Sequence, residues 1–253
     1  MFFVYNILIN LIIFISPIII LIRLIKNKEH KSRFKEKFSF FSKKRGNGKL
    51  IWFHGSSVGE ILSIIPLIEE LEKKRKIDKI LVTSSTLSSS KVLSNFKLKK
   101  TIHQFFPIDS NLLTKKFLNY WKPSAAIFID SEIWPNILLN IKKKNIPLIL
   151  LNARITRKSY NRWKNIPNTA KKLFQNFDVC FSQNQETKKY LKSLGAKKIK
   201  FLGNLKFSES KSQKNYNFHN KLKKIFKYKK IWCAASTHDN EEKICVLAHK
   251  KLK

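Results

Sequence analysis

One pattern recurs along this chain: a short apolar run, then a small polar loop, then a helix-length amphipathic segment. Its first copy has the apolar run 50–53, a loop rich in glycine and serine, and the carboxylate Glu60 at the start of a helix. Uninterrupted apolar runs of this length are typical of strands that are covered on both faces. Strands that alternate with helices build a parallel sheet with crossover connections. The pattern therefore predicts an α/β fold, a parallel sheet with helices on both faces.

Later copies of the pattern extend this sheet as far as residue 202. The further strands predicted are 80–83, 102–106, 126–129, 148–151, 179–182 and 199–202, and the helical segments between them include 112–121, 137–144 and 185–194. A polar stretch without periodicity, 208–217, indicates a linker. Residues 231–235 then predict one more strand, and 244–252 predict a helix. Because one strand and one helix cannot bury a sheet, we expect the chain to stop just inside a second domain.

The first 25 residues are expected to anchor the chain in a membrane. The run from Phe2 to Ile25 is apolar apart from a few residues such as Asn6 and Asn10, and it is long enough to span a bilayer. A basic linker, 26–47, follows it at once. The positive-inside rule then places the globular part on the cytoplasmic side of the inner membrane, with the basic residues against anionic lipid headgroups. A buried core helix is the alternative explanation of the apolar run.

The charge of the chain indicates an anionic partner. The chain carries 52 Lys and Arg against 16 Asp and Glu, a formal net charge of +36. Anionic lipid, phosphorylated sugar or nucleic acid would match this excess, and codon bias is a further explanation. Nucleic acid is not expected, because the lysines are spread along the chain without a recognised binding signature. The three cysteines have no metal-ligand spacing and suit a reducing compartment.

The loop after the first strand has the features of a ligand-binding loop. Ser56, Ser57 and Gly59 leave backbone N–H groups open and let a ligand come close. Glu60 lies on the first turn of the following helix, where it could act as a general base with a pKa depressed by the helix N-terminus. The alternative is a helix-start glutamate that is favoured by the helix dipole alone. In open α/β sheets, such loops lie at the carboxyl ends of the strands, where ligands bind.

More charged groups follow the neighbouring strands. Asp130 and Glu132 end one predicted strand, and Arg154 ends the next, so acidic and basic groups are expected to meet at one edge of the sheet. Arg154 could pair with the acidic loop, bind a phosphate or form a strand-end salt bridge. His54 and Trp134 are interpreted as packing residues.

Five blocks of residues, taken in order, resemble the 3-deoxy-D-manno-octulosonic acid (Kdo) transferases of lipopolysaccharide assembly. The blocks are 54–60 (His-Gly-Ser-Ser-Val-Gly-Glu), 131–136 (Ser-Glu-Ile-Trp-Pro-Asn), 152–154 (Asn-Ala-Arg), 203–207 (Gly-Asn-Leu-Lys-Phe) and 235–242 (Ala-Ser-Thr-His-Asp-Asn-Glu-Glu). Each block alone is a weak signal, but their common order covers nearly the whole chain. The resemblance implies the N-terminal half of a GT-B glycosyltransferase. It divides the chain into an acceptor-side Rossmann-like domain at 48–207, a linker at 208–229 and the start of a truncated donor-binding domain at 230–253.

The resemblance also implies a reaction. Kdo would move from the donor CMP-Kdo to a lipid A precursor, lipid IVA, with inversion and without a metal or a cofactor. Glu60 matches the general base of the family, and Lys206 matches a lysine that stabilises the transition state or the sugar carboxylate. The family usually has a Glu where this chain has Asp130. The implied site comprises Glu60, Asp130, Glu132 and Lys206 as catalytic residues, with Ser56, Ser57, Gly59 and Arg154 as substrate-binding residues.

Two other functions stay open. One is a basic membrane-surface α/β module that binds anionic lipid or nucleic acid without catalysis. The other is a glycosyltransferase that uses a different nucleotide donor. The acidic loop argues against the first, because its carboxylates would repel a phosphate group.

Overall fold

The computed structural model describes residues 1–205, 227, 232–235, 237 and 239–251, and the chain divides into two compact units, Met1–Ser210 and Lys211–Lys253. The first unit is built on one parallel sheet. Its strands are β1 (Leu50–His54), β2 (Lys79–Ser84), β3 (Thr101–Phe105), β4 (Ala125–Ile129), β5 (Leu148–Ala153), β6 (Val179–Ser182) and β7 (Ile199–Phe201). They lie in the order β3-β2-β1-β4-β5-β6-β7, which confirms the predicted parallel sheet.

Helices connect these strands and cover both faces of the sheet. They are α1 (Phe2–Ile25), a short 3-10 helix (Arg33–Phe38), α2 (Val58–Glu72), α3 (Leu87–Ser94), α4 (Asn111–Trp121), α5 (Pro135–Lys143), α6 (Arg157–Lys164), α7 (Pro167–Phe174) and α8 (Gln185–Ser193). Helices α2 and α3 pack on one face of the sheet, whereas α4, α5, α7 and α8 pack on the other. This arrangement explains the uninterrupted apolar runs. Trp52 and Phe53 are consecutive, fully buried residues of β1, and they belong to opposite cores.

The order of the strands creates a crevice beside β1. From β1 the chain moves outward to β2 and β3, and it then returns to place β4 on the other side of β1. In register, His54 at the end of β1 lies beside Thr83 of β2 and Phe128 of β4. The connections after β1 and β4 therefore leave the sheet edge in opposite directions, and such a switch point is where open α/β sheets bind ligands.

The segment 26–47, which the sequence predicts as a basic linker, packs against the edge of the sheet. Its 3-10 helix carries Glu36, which is 1% exposed and accepts hydrogen bonds from Arg33 at 2.8 and 3.0 Å. The same carboxylate accepts the backbone N–H of Phe105 in β3 at 2.8 Å and the hydroxyl of Ser42. Some basic residues of this segment therefore form ion pairs with buried acids, and others face solvent. The excess of basic residues in the sequence does not distinguish the two.

The second unit differs from the prediction in one element. Residues 232–235 do not form the predicted strand, whereas the predicted helix is present as α9 (Glu241–Lys251). A strand forms by hydrogen bonding to a neighbouring strand, and the described residues of this unit include no other strand with which 232–235 could pair. The proposed linker 208–229 lies outside the described residues apart from Lys227, so the predicted domain boundaries stay predictions.

The buried Glu36 should contribute strongly to stability. We expect Glu36→Ala to lower the free energy of unfolding by about 3 kcal/mol, because it leaves Arg33 and the Phe105 N–H without their buried partner. The matched control is Glu70→Ala, which removes an exposed ion pair with Lys73. Chemical denaturation of both variants checks this. Equal losses in the two variants would contradict the role of Glu36.

Candidate active site

Glu60 is held at the start of α2 by the loop that follows β1. Ser57 is the N-cap of α2; its hydroxyl accepts the Glu60 N–H at 3.3 Å and donates to Glu60 Oε1 at 2.6 Å. The other carboxylate oxygen, Oε2, accepts the Ser56 N–H at 2.8 Å. Both oxygens of Glu60 therefore have a donor that fixes their orientation; the arrangement resembles a capping box in which the N–H before the N-cap replaces the N-cap N–H.

A glycine lets this carboxylate fold back over the loop. A Cβ atom on Gly55 would lie 3.1 Å from the Glu60 Cβ and 3.4 Å from Glu60 Oε2. The contact at 3.1 Å is tighter than ordinary van der Waals packing, so a side chain at position 55 would require Glu60 to shift by a few tenths of an ångström. Gly59 lies in the first turn of the helix, between the N-cap and Glu60.

The environment of Glu60 raises its pKa above the ordinary value of 4.5. Burial is the main cause, and the negative charges of Glu132 and Asp130 add to it. The hydrogen bonds from Ser57 and from the Ser56 backbone act in the opposite direction but do not outweigh them. The expectation of a depressed pKa for Glu60 is therefore wrong, because burial and the two negative charges outweigh the hydrogen-bond donors at the helix N-terminus. A carboxylate with a raised pKa is a better proton acceptor.

Asp130 lies in a tight turn directly after β4. Its backbone has a φ of 61°, the left-handed region that Asp tolerates better than most residues. Its N–H donates to the Leu151 carbonyl at 3.0 Å, and its own carbonyl accepts the Arg154 N–H at 3.2 Å. The acidic loop is thus attached to the end of β5, and Asp130 is 8% exposed.

Glu132 is held by two aromatic side chains. Its Oε2 lies 3.1 Å from His54 Nε2 and accepts the Trp134 Nε1–H at 2.6 Å. Burial alone would raise the pKa of this carboxyl, whose side chain is 13% exposed. The hydrogen bond and charge of His54, with further bonds from Trp134 and Ser56, outweigh burial and lower the pKa. Glu132 is therefore kept ionised next to a carboxylate, Glu60, whose pKa is raised.

A buried polar chain behind Glu132 orients His54. The imidazole is 0% exposed, and its Nδ1 lies 3.0 Å from Thr83 Oγ1, which also accepts the Trp52 Nε1–H at 2.9 Å. The ring stacks on Phe106 with the centroids 3.7 Å apart. The polar atoms at both ring nitrogens and the stacked Phe106 ring fix the orientation of the imidazole. The imidazole in turn fixes the position of the Glu132 carboxylate.

Arg154 and Asn152 close the site on the β5 side. Arg154 is exposed, and among the described residues its guanidinium forms no ion pair. Asn152 is 0% exposed, and its Oδ1 accepts the Leu205 N–H at 3.0 Å, so that the segment after β7 is attached to the end of β5. Lys206 is the next residue and lies outside the described residues, so its role stays a prediction.

The structure thus brings together most of the predicted site. Glu60, Asp130 and Glu132 interact across the crevice between β1 and β4, and Ser56 and Ser57 bond to the carboxylates. The packing roles predicted for His54 and Trp134 are confirmed, since His54 is fully buried and Trp134 packs against the core, but their hydrogen bonds to Glu132 were not predicted. A signal for His54 was available: it ends the strand beside the one that carries the acidic loop.

Comparisons with known proteins agree with the resemblance carried by the five sequence blocks. A family model described as 3-deoxy-D-manno-octulosonic-acid transferase (kdotransferase) matches residues 32–209. The 3-deoxy-D-manno-octulosonic acid transferase of Rickettsia bellii is 38% identical over 236 residues, which cover 93% of this chain and 56% of that protein. A probable mitochondrial transferase of the same description from Arabidopsis thaliana is 34% identical, and the match covers 99% of this chain and 58% of that protein. The chain therefore spans about half the length of these curated relatives.

Among solved structures, the UDP-GlcNAc 2-epimerase from Neisseria meningitidis shares the fold. The TM-score is 0.51 at 19% identity, and the alignment covers 71% of this chain and 54% of the epimerase. At this identity the likeness concerns the fold alone.

The lowered pKa of Glu132 makes a prediction about stability. Its ionised form stabilises the fold above the ordinary value of 4.5, and this contribution is lost as the pH falls through the lower pKa of the folded state. We expect the free energy of unfolding of the native chain to fall more steeply than that of Glu132→Gln, which cannot titrate, as the pH drops below about 5. Glu69→Gln, on the exposed face of α2, is the matched control. Parallel pH curves for the native chain and Glu132→Gln would refute the interpretation.

Proposed function

Because the chain belongs to the 3-deoxy-D-manno-octulosonic acid (Kdo) transferase family, we propose that it forms the acceptor side of a glycosyltransferase of lipopolysaccharide assembly. The donor is CMP-Kdo, and the acceptor is a lipid A precursor, lipid IVA. The family match supports the class of reaction, and the charge of +36 suits substrates that are both anionic. The site works on the cytoplasmic side of the inner membrane, where anionic lipids are the further partner of the basic surface.

Glu60 is the general base in this proposal. It takes the proton of an acceptor hydroxyl, whose oxygen attacks the anomeric carbon of Kdo as the bond to the CMP phosphate breaks and CMP leaves. Attack on the face opposite the leaving group inverts the configuration. The observation that carries the proposal is the geometry of Glu60: a carboxylate with both oxygens oriented, a raised pKa and a place at the switch point of the sheet.

Glu132 and Asp130 have a different role from Glu60. Positive charge develops on the sugar ring as CMP leaves, and a fixed negative charge nearby stabilises it. Glu132 is suited to this because His54 and Trp134 orient it and keep it ionised. Two neighbouring carboxyls whose pKa values are displaced in opposite directions are typical of sites that divide proton transfer and charge stabilisation between them.

The cationic groups are assigned to the anionic parts of the substrates. Arg154 is exposed at the end of β5, where a guanidinium can bind a phosphate or a carboxylate with two hydrogen bonds. Ser56, Ser57 and Gly59 would bind the acceptor near Glu60. A role of Lys206 in binding the sugar carboxylate stays a prediction, supported by its place directly after Leu205, which Asn152 fixes.

The first test removes the base without changing its shape. In a transferase-active form of the protein, Glu60→Gln should reduce the rate of Kdo transfer by about 10² to 10⁴, the usual effect of a positioned base. Gln can still accept the Ser56 N–H, so the fold should be kept, and an unchanged unfolding midpoint checks this. Glu69→Gln on the same helix is the control and should transfer at the native rate. A near-native rate in Glu60→Gln would exclude Glu60 as the base.

The second test uses the charge of Asp130, which contributes to the raised pKa of Glu60 after burial and Glu132. A base must be ionised, so the rate should fall as the pH drops through the pKa of Glu60. Asp130→Asn removes a negative charge and should move this acidic limb of the residual kcat/KM to lower pH. A limb that stays in place, or that moves to higher pH, would show that another group controls it.

A further inference from the structure

One stripe of helix α1 is shielded from solvent along the whole length of the helix. The residues of one stripe are buried or half-buried, and they recur at alternating steps of four and three: Phe2, Asn6, Ile9, Ile13, Ser16, Ile20 and Arg23. This is the periodicity of a helix that packs through a single seam. The stripe also carries most of the polar residues of α1, with Asn10 as an exception. The opposite side, with Phe3, Phe14 and Ile18, is apolar and exposed.

The first turns of α1 are attached to the start of α5. The Tyr5 hydroxyl donates to Asp109 Oδ2 at 2.7 Å, and Asn136 Nδ2 donates to Asn6 Oδ1 at 2.8 Å. Asp109 and Asn136 are 2% and 5% exposed, and Asp109 also accepts the backbone N–H groups of Asn136 and Ile137. These bonds are shielded from water, so losing them would leave buried polar groups without partners.

Apolar contacts add to this attachment. Met1, Phe2 and Tyr5 line a pocket of about 200 Å³ together with Ile133 of the acidic loop and Trp163 of α6. The ammonium of Lys172 in α7 lies 5.2 Å from the centre of the Phe2 ring. Moving the first turn of α1 away would expose the apolar side chains of this pocket to solvent.

The last turn of α1 is attached to the packed segment that follows it. Arg23 Nε lies 3.0 Å from Glu29 Oε2, and the same oxygen accepts a hydrogen bond from Lys37 Nζ at 2.7 Å. Glu29 is 3% exposed, and burial, which opposes its ionisation, is outweighed by these two cations, so that its pKa is lowered. Both ends of the helix are therefore held by the same unit.

The length of α1 makes these contacts decisive. Its 24 residues give about 36 Å, which is enough to cross the roughly 30 Å of a bilayer core. A crossing helix would carry Tyr5 and Asn6 to the far side, away from Asp109 and Asn136. We infer that α1 lies in the plane of one leaflet, with its buried stripe on the globular unit and its exposed apolar side in the acyl chains, and that it does not cross the bilayer.

The partner of this surface is one leaflet of a membrane. An 18-residue stretch of the helix has a mean hydropathy of 2.7, and Lys26, Lys28 and Lys31 follow the helix, which suits anionic headgroups beside acyl chains. An interfacial helix normally supplies its own polar face. In α1 the buried stripe faces the globular unit, and the globular unit therefore supplies the polar side that faces water.

Cross-linking in membranes tests the docking of α1. Asn6→Cys and Asn136→Cys are combined in a chain whose Cys233 and Cys245 are replaced by serine, and vesicles that contain it are treated with a short bifunctional thiol reagent. We expect an intramolecular cross-link in this pair. The matched control pairs Asn10→Cys with Asn136→Cys and should not cross-link, because Asn10 is on the exposed side of the helix.

The sidedness of the N-terminus gives a readout that leaves Asn6 and Asn136 native. An epitope tag before Met1 is digested by protease in vesicles of known orientation. A docked α1 places the tag on the same side of the membrane as the globular unit. Protease should therefore reach the tag and the globular unit in the same orientation of vesicle and neither of them in the other. A tag on the opposite side would overturn the inference, and so would a folded chain that carries Asn6→Cys with Asn136→Cys and does not cross-link. Neither readout depends on transferase activity.

Discussion

The hydrogen bond between His54 and Glu132 joins the two loops on which the candidate site depends. One loop follows β1 and the other follows β4, and these strands are neighbours only because the sheet reverses its direction of growth there. The orientation of His54 is fixed by Thr83 at the end of β2. The ends of three strands, β1, β2 and β4, therefore determine the position of the Glu132 carboxylate. Glu60 then experiences a fixed negative charge, which with burial raises its pKa. In the proposed mechanism, the proton acceptor Glu60 and the ionised Glu132 therefore both depend on this contact between strand ends.

Much of the fold could be predicted from periodicity. The strand predicted at 80–83 is observed as Lys79–Ser84, and the helix predicted at 112–121 is observed as Asn111–Trp121, because the buried side chains of these two elements leave an apolar pattern in the sequence. The segment 26–47 could not be predicted in this way. It is held by buried acids such as Glu36, and a charged residue looks the same in a sequence whether it faces solvent or a backbone N–H.

The site could be predicted in its residue types but not in its electrostatics. Loops at the carboxyl ends of parallel strands share an edge, so Glu60 and the acidic loop could be placed at the same edge of the sheet before the order of the strands was known. The direction of the pKa shift of Glu60 could not be predicted. The helix N-terminus lowers this pKa, whereas burial and two neighbouring carboxylates raise it, and only the three-dimensional arrangement decides which effect is larger. The same holds for Trp134, whose indole N–H reaches Glu132 through a turn that no spacing rule describes.

The start of α5 links the candidate site to helix α1. Trp134 is the N-cap of α5 and donates to Glu132, while Asn136, in the first turn of α5, bonds to Asn6 of α1. If α1 lies in one leaflet as inferred, the acidic loop lies beside that leaflet. A lipid-linked acceptor could then present its sugar to Glu60 while its acyl chains stay in the membrane. A crossing helix would break the contact with Asn136 and remove this link, so the orientation of α1 and the delivery of a lipid substrate are one physical question.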